Sequence, residues 1–219
     1  MRTASVLSPA GNRILVQLCG NLAGVWARPI AMRPVPPFAV VDRAVLDGIE
    51  NELSRAGERA DAILDAAFDR FEERQVELAR HVGDVLDRPL DETATALGSF
   101  LSIVIFMAFE RAFGERLEAV STDALKATVD SLSLEEELRA RAPTEPLDLE
   151  DVVAHEQPGI MAFVHLHLEA ALEEAASGED VDVDDVHLVY QTMLVQTLAL
   201  SHAVAPDERS KAGGTELLA

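Results

Sequence analysis

The sequence is poor in cysteine and in aromatic residues, and each shortage excludes a class of structure. Cys19 is the only cysteine among 219 residues, so neither an intrachain disulfide nor a metal site built from several thiolates is available. Aromatic residues make up only 5% of the chain, and alanine and leucine dominate the apolar residues. Because these two residues form helices more readily than strands, the composition favours an all-α protein.

Basic residues are also scarce. The chain carries 39 acidic residues against 18 basic ones, a formal net charge of −21, and its only lysines are Lys126 and Lys211. Binding to nucleic acid or to anionic lipid requires a basic surface, so we expect neither as a partner. This bias, with nearly all bases being arginine, is explained either by codon usage in a GC-rich genome, which we favour, or by a saline cytoplasm, where excess surface carboxylates maintain solubility.

No sequence motif identifies a catalytic or cofactor-binding site. The chain has no nucleophile elbow, phosphate-binding loop, dinucleotide fingerprint or zinc-protease helix. The acidic stretch from Glu179 to Asp185 lacks the ligand spacing and the central glycine of an EF-hand, so we expect no calcium site there. These absences favour a non-enzymatic protein without a cofactor.

Two long apolar runs are the strongest structural feature of the chain. They cover residues 91–113 (DETATALGSFLSIVIFMAFERAF) and residues 186–204. Each run is several times longer than an ordinary strand, so both are predicted to be helices. Either Asp91 or Thr93 can cap the first one. Small side chains that would let another helix approach closely recur along one stripe, at Ala94, Gly98 and Ser102.

A helix that is apolar on nearly all sides is either a core element or a membrane span. The apolar part of the first run, Thr93 to Phe109, falls a little short of the roughly 20 apolar residues that a span needs, and it also contains Thr95, Ser99 and Ser102. The second run carries two histidines and two glutamines. Neither run is flanked by the cluster of Lys or Arg that anchors spans. We therefore predict that the two runs form a buried helix pair rather than membrane spans.

The first 41 residues differ from the rest of the chain because they contain no Asp or Glu. Within them, residues 28–38 (RPIAMRPVPPF) are too rich in proline for a helix. The segment is interpreted as an arm that packs on the body or on another subunit, as a targeting peptide, or as sequence upstream of a true start at Met32. We favour the arm. No secretory signal is visible, which together with the single cysteine suggests a cytoplasmic protein.

Amphipathic helical spacing begins at Asp42, which is a candidate N-cap. A bend or a break is expected near Gly57, and a capping-box spacing at Ser133 predicts a second short helix there. Taken together, these patterns predict one all-α, bundle-like domain of about six to eight helices over residues 42–205. Residues 206–219 are predicted to be a flexible polar tail.

The sequence HLHLE places His165, His167 and Glu169 within one predicted helix. His165 and Glu169 share a face of that helix, whereas His167 points about 200° away from His165. His187 or His155 on a neighbouring helix could complete a site. The alternative is a surface His–Glu pair with one half-buried histidine, because the Glu-x-x-His repeats of carboxylate-bridged bundles are absent.

Two functional hypotheses follow. The first is a non-enzymatic scaffold, adaptor or assembly subunit that acts through a protein partner or through self-association. The alternative is a helical-bundle enzyme or carrier that binds a metal ion or a small ligand near His165, Glu169 and His187.

Overall fold

The structure is a computed structural model that describes residues 34–141, 153, 156–176 and 182–207. Every described residue belongs to a single compact unit that begins at Pro34. That part is all-α, as predicted, with a helix count inside the predicted range. Its helices are α1 (Arg43–Ala56), α2 (Ala60–Arg74), α3 (Val76–Leu86), α4 (Glu92–Phe113), α5 (Thr122–Arg141), α6 (Pro158–Ala176) and α7 (Val183–His202).

Several predictions concern residues outside the described ones. They are the first 33 residues of the predicted arm, His155, and most of the predicted C-terminal tail. Residues 34–42, by contrast, are described and run along the helical body, with Val35, Ala39 and Val41 buried.

The apolar runs form α4 and α7, which pack against each other at the centre of the described body. α7 is buried without interruption from Thr192 to Ser201. α4 also contacts α1, α2, α3 and α6, so other helices cover several of its faces. Residues 92–116 satisfy the length and composition of a span, and 56% of their apolar window is buried in the protein. The predicted buried helix pair is confirmed.

The stripe of small residues on α4 lies in this contact. Ala94, Gly98 and Ser102 are all buried. A Cβ atom at Gly98 would lie 2.5 Å from Leu86 Cδ2 and 3.2 Å from Val189 Cγ2, both closer than ordinary van der Waals contact. The absence of a side chain at this position therefore allows α4 to approach both α3 and α7.

The N-termini of α4 and α7 are joined by aspartate side chains. Asp91 caps α4 through the Ala94 N–H (2.7 Å), and its second oxygen accepts from the Asp182 N–H (2.9 Å). Asp185 in turn accepts from the Asp91 N–H (2.8 Å), and Asp182 caps α7. Two positive helix ends are thus neutralised together, because carboxylates satisfy their free N–H groups.

The helix boundaries follow the sequence at some positions and not at others. Asp42 caps α1 through the Ala44 N–H, and the chain breaks at Gly57 with a positive φ of 55°, both as expected. The predicted second helix at Ser133 is wrong, because α5 is continuous across this position. The break between α2 and α3 at Gln75 is not predicted by the sequence pattern.

Two buried glutamines connect the helices to extended segments. Gln75 accepts from the Val120 N–H and donates to the Glu118 carbonyl, each at 2.9 Å. Gln157, which is 0% exposed, makes two such bonds and a third to a side chain on α7. It accepts from the Val41 N–H (3.0 Å) and donates to the Ala39 carbonyl (2.7 Å) and to Ser201 Oγ (2.8 Å). These bonds satisfy backbone groups that no helix or sheet pairs.

Candidate functional site

A cleft of about 290 Å³ opens between α6 and α7. Each helix contributes residues at the i, i+3, i+4 and i+7 positions, which form one continuous stripe on a helix surface. The two stripes therefore face each other across the cleft. Its lining residues are His165, Leu168, Glu169 and Leu172 from α6, and Val183, Val186, His187 and Tyr190 from α7.

The cleft combines apolar walls with polar groups. Its lining includes two leucines and two valines, of which Leu172 and Val183 are exposed and Val186 is buried. On the inner side, His165 Nε2 lies 3.1 Å from the Tyr190 hydroxyl, and their ring centroids are 5.6 Å apart. Tyr190 is only 7% exposed, so this hydrogen bond connects the two helices in a nearly buried environment.

The structure brings all three predicted site residues to this cleft. His165 and Glu169 share one face of α6, as their spacing predicted, and His187 faces them from α7. His187 Nε2 lies 3.0 Å from the Gln191 amide nitrogen, within hydrogen-bond distance. In the described part of the chain, no three His, Cys, Asp or Glu side chains are grouped closely enough to hold a metal ion.

His167 lies away from the cleft, as the helical spacing predicted. Its ring packs edge-on against Phe163 and Phe100, with centroid distances of 4.5 and 5.2 Å. His167 Nε2 is 3.9 Å from Glu50 Oε1 and has no hydrogen-bond partner within the described residues. Burial lowers the pKa of His167 and Arg43 lowers it further, whereas Glu50 opposes the shift. The fold therefore favours the neutral imidazole.

This environment predicts an acid-sensitive contribution to stability. The folded state binds the His167 proton less tightly than the unfolded chain does. The contribution of His167 to the free energy of unfolding is therefore fully present above the ordinary histidine pKa of 6.5. It falls as pH decreases through that value toward the lowered pKa. We expect His167→Phe to lose less unfolding free energy than the wild type between about pH 7.5 and 5. Urea denaturation at both pH values measures the difference.

His81 provides a parallel case for the same experiment. Its pKa is also lowered, mainly by burial and secondarily by Arg88, with Asp84 acting in the opposite direction. The unfolding free energy of the double variant His81→Gln/His167→Phe should therefore depend less on pH than that of either single variant. If the unfolding free energy changed between the two pH values by the same amount in the wild type and in all three variants, the two histidines would not be the source of the acid sensitivity.

Sequence reasoning identified His165, Glu169 and His187 but neither Tyr190 nor the apolar walls of the cleft. Tyr190 is the only tyrosine of the chain and lies three residues after His187, and this helical spacing places the two on one face. Leu168 and Leu172 follow His165 at the same kind of spacing. What the sequence could not indicate was that these two stripes face each other.

Comparison with known proteins adds no further assignment. The chain matches no protein-family model, no curated protein and no solved structure.

Proposed function

We propose that this protein binds a small, partly apolar molecule in the cleft between α6 and α7 and acts as a carrier or sensor of that molecule. The observation that carries the proposal is the convergence of His165, Glu169, His187 and Tyr190 on one apolar-walled cleft. A concave, largely apolar surface with a few oriented polar groups is typical of small-molecule sites.

The dimensions of the cleft suit a ligand of modest size. Small-molecule pockets range from about 300 to 1,000 Å³, and this cleft, at about 290 Å³, lies at the lower end. Leu168, Leu172, Val183 and Val186 would remove the apolar part of such a ligand from water, which supplies most of the affinity. The ring nitrogens, the hydroxyl and the carboxylate would orient its polar part.

A cleft-filling substitution tests the proposal. Leu172 lines the cleft and is 37% exposed, so Leu172→Trp should occupy the ligand space without disturbing the core. In a ligand-observed NMR screen of a fragment library, we expect the hits to lose at least about tenfold in affinity with this variant, equivalent to 1.4 kcal/mol.

Leu166→Trp is the matched control for this screen. Leu166 lies on the same helix and is 52% exposed, but it does not line the cleft. Fragments should bind this variant as they bind the wild type. Hits that are equally weakened by both tryptophans, or by neither, would place binding elsewhere and remove the proposal.

The scaffold or assembly hypothesis remains a prediction. Among the described residues, the exposed large apolar side chains outside the cleft lie on separate elements: Phe68 on α2, Val76 on α3, Leu166 on α6 and Val40 before α1. Single exposed apolar residues are ordinary on protein surfaces. They therefore identify no particular docking face.

A further inference from the structure

The geometry points to a cationic ligand for this cleft, namely a small organic amine whose ammonium group pairs with Glu169 while its apolar body contacts the leucine and valine walls. This inference rests on the proposed function and specifies the class of molecule. Its basis is the charge of the cleft, which is of one sign.

Among the described residues that line the cleft, Glu169 is the only one with a formal charge. Both helices that form the cleft lack Lys and Arg, and none occurs anywhere between residues 142 and 208. A carboxylate or phosphate ligand would therefore meet Glu169 without any lysine or arginine from α6 or α7 to balance it. An ammonium group would instead gain a charge-assisted hydrogen bond.

The acidic residues next to the lining in the chain also favour a cationic ligand. Val183 of the lining stands between Asp182 and Asp184 in the chain, and Asp185 precedes Val186. These aspartates are chain neighbours of lining residues, and each adds a negative charge to this end of α7. At physiological salt such charges are screened over a Debye length of about 8 Å.

The N-terminus of α7 would by itself favour an anion, because a helix end carries roughly half a positive charge. Here that end is already neutralised. Asp182 accepts from the Asp184 N–H at 2.9 Å through its side chain, and its carbonyl accepts from the Val186 N–H at 3.1 Å. With Asp184 and Asp185 in the first turn, the local charge is negative despite the helix dipole.

Three probes of nearly equal shape and different charge test the inference. They are benzylamine, which is cationic at neutral pH, benzyl alcohol, which is neutral, and benzoate, which is anionic. Calorimetric or NMR titration of the full chain should give the order benzylamine, benzyl alcohol, benzoate, from tightest to weakest. Because Glu169 is exposed, we expect an advantage of about two- to fivefold for the amine over the alcohol.

The same titration with Glu169→Gln isolates the proposed contact. This variant should bring the amine and the alcohol close to equal affinity, while the affinity for the alcohol stays unchanged. Glu72→Gln is the matched control, since Glu72 is an exposed glutamate on α2 that does not line the cleft. It changes net charge equally and should preserve the preference for the amine. Adding salt to about 1 M should reduce the amine's advantage in the wild type, because screening then acts over about 3 Å.

The outcomes separate the two proposals. Benzoate binding as tightly as benzylamine, or a preference for the amine that is undiminished in Glu169→Gln, would overturn the charge assignment. Binding of the probes would still respond to Leu172→Trp, and the cleft would remain a ligand site. Failure of all three probes to bind would overturn both the cationic ligand and the proposed function.

Discussion

Replacing Gln157 by leucine is expected to lower the free energy of unfolding by about 2–4 kcal/mol. The substitution leaves the buried Val41 N–H and Ala39 carbonyl without their partners, and stranding a buried backbone group costs about 1–3 kcal/mol. The added burial of leucine offsets part of this cost. Since domains are stable by only about 5–15 kcal/mol, the loss would be a large share of the total.

Chemical denaturation compares this variant with a control of similar burial. Thr192→Val changes a residue that is 3% exposed, whose hydroxyl bonds only to the Leu188 carbonyl of its own helix. It should cost less than about 1 kcal/mol, because no distant backbone group loses a partner. Equal costs for the two variants would show that Gln157 does not hold residues 34–42 against the body.

The second large effect is expected at Gly98. Gly98→Val should destabilise the protein by about 2–3 kcal/mol, toward the upper part of the usual range for overpacking. Its Cβ would enter the space of Leu86 Cδ2, and its methyl groups would add to the contact with Val189 Cγ2. Leu86 can move, because it is half-buried at the end of α3, but Val189 is fully buried between helices.

The same substitution at Gly48 provides the control. Gly48 lies in the middle of α1 and is exposed, and a Cβ atom added there would have no neighbour within 4 Å. Gly48→Val should be neutral or slightly stabilising, because valine loses less conformational entropy in a helix than glycine does. Stability of Gly98→Val equal to that of Gly48→Val would mean that α4 and α7 do not approach as closely as described.

The features that the sequence predicts correctly are encoded locally. Asp91 is identifiable as a cap because an acidic residue precedes an apolar run, and the stripe through Gly98 because small residues repeat at helical spacing. His165 and Glu169 fall on one face for the same reason, four residues apart. In each case the physical cause acts within one or two helical turns.

The features that the sequence does not predict depend on residues far apart in the chain. The break at Gln75 has no glycine or proline to mark it, and its side-chain partners are 43 and 45 residues away. The partners of Gln157 in residues 34–42 are 116 and 118 residues upstream. The wrong prediction at Ser133 is an error of the opposite kind. There a local capping pattern indicates a helix start, but the residues lie inside one continuous helix.

The cleft depends both on local sequence patterns and on contacts between distant parts of the chain. Each of its two stripes follows a helical period that can be read from the sequence, at His165 and Glu169 on α6 and at His187 and Tyr190 on α7. That α6 and α7 lie side by side with these faces opposed is a property of the tertiary packing. The ligand class, in turn, follows from the charges that this packing brings together.

A methyl-resolved NMR titration with benzylamine reports ligand binding at the cleft residue by residue. If the ligand binds between α6 and α7, the methyl resonances of Leu168, Leu172, Val183 and Val186 shift together along one binding curve, while those of Leu166 remain in place. Shifts confined to other parts of the protein, or none at concentrations that saturate a weak site, would contradict a ligand site between α6 and α7.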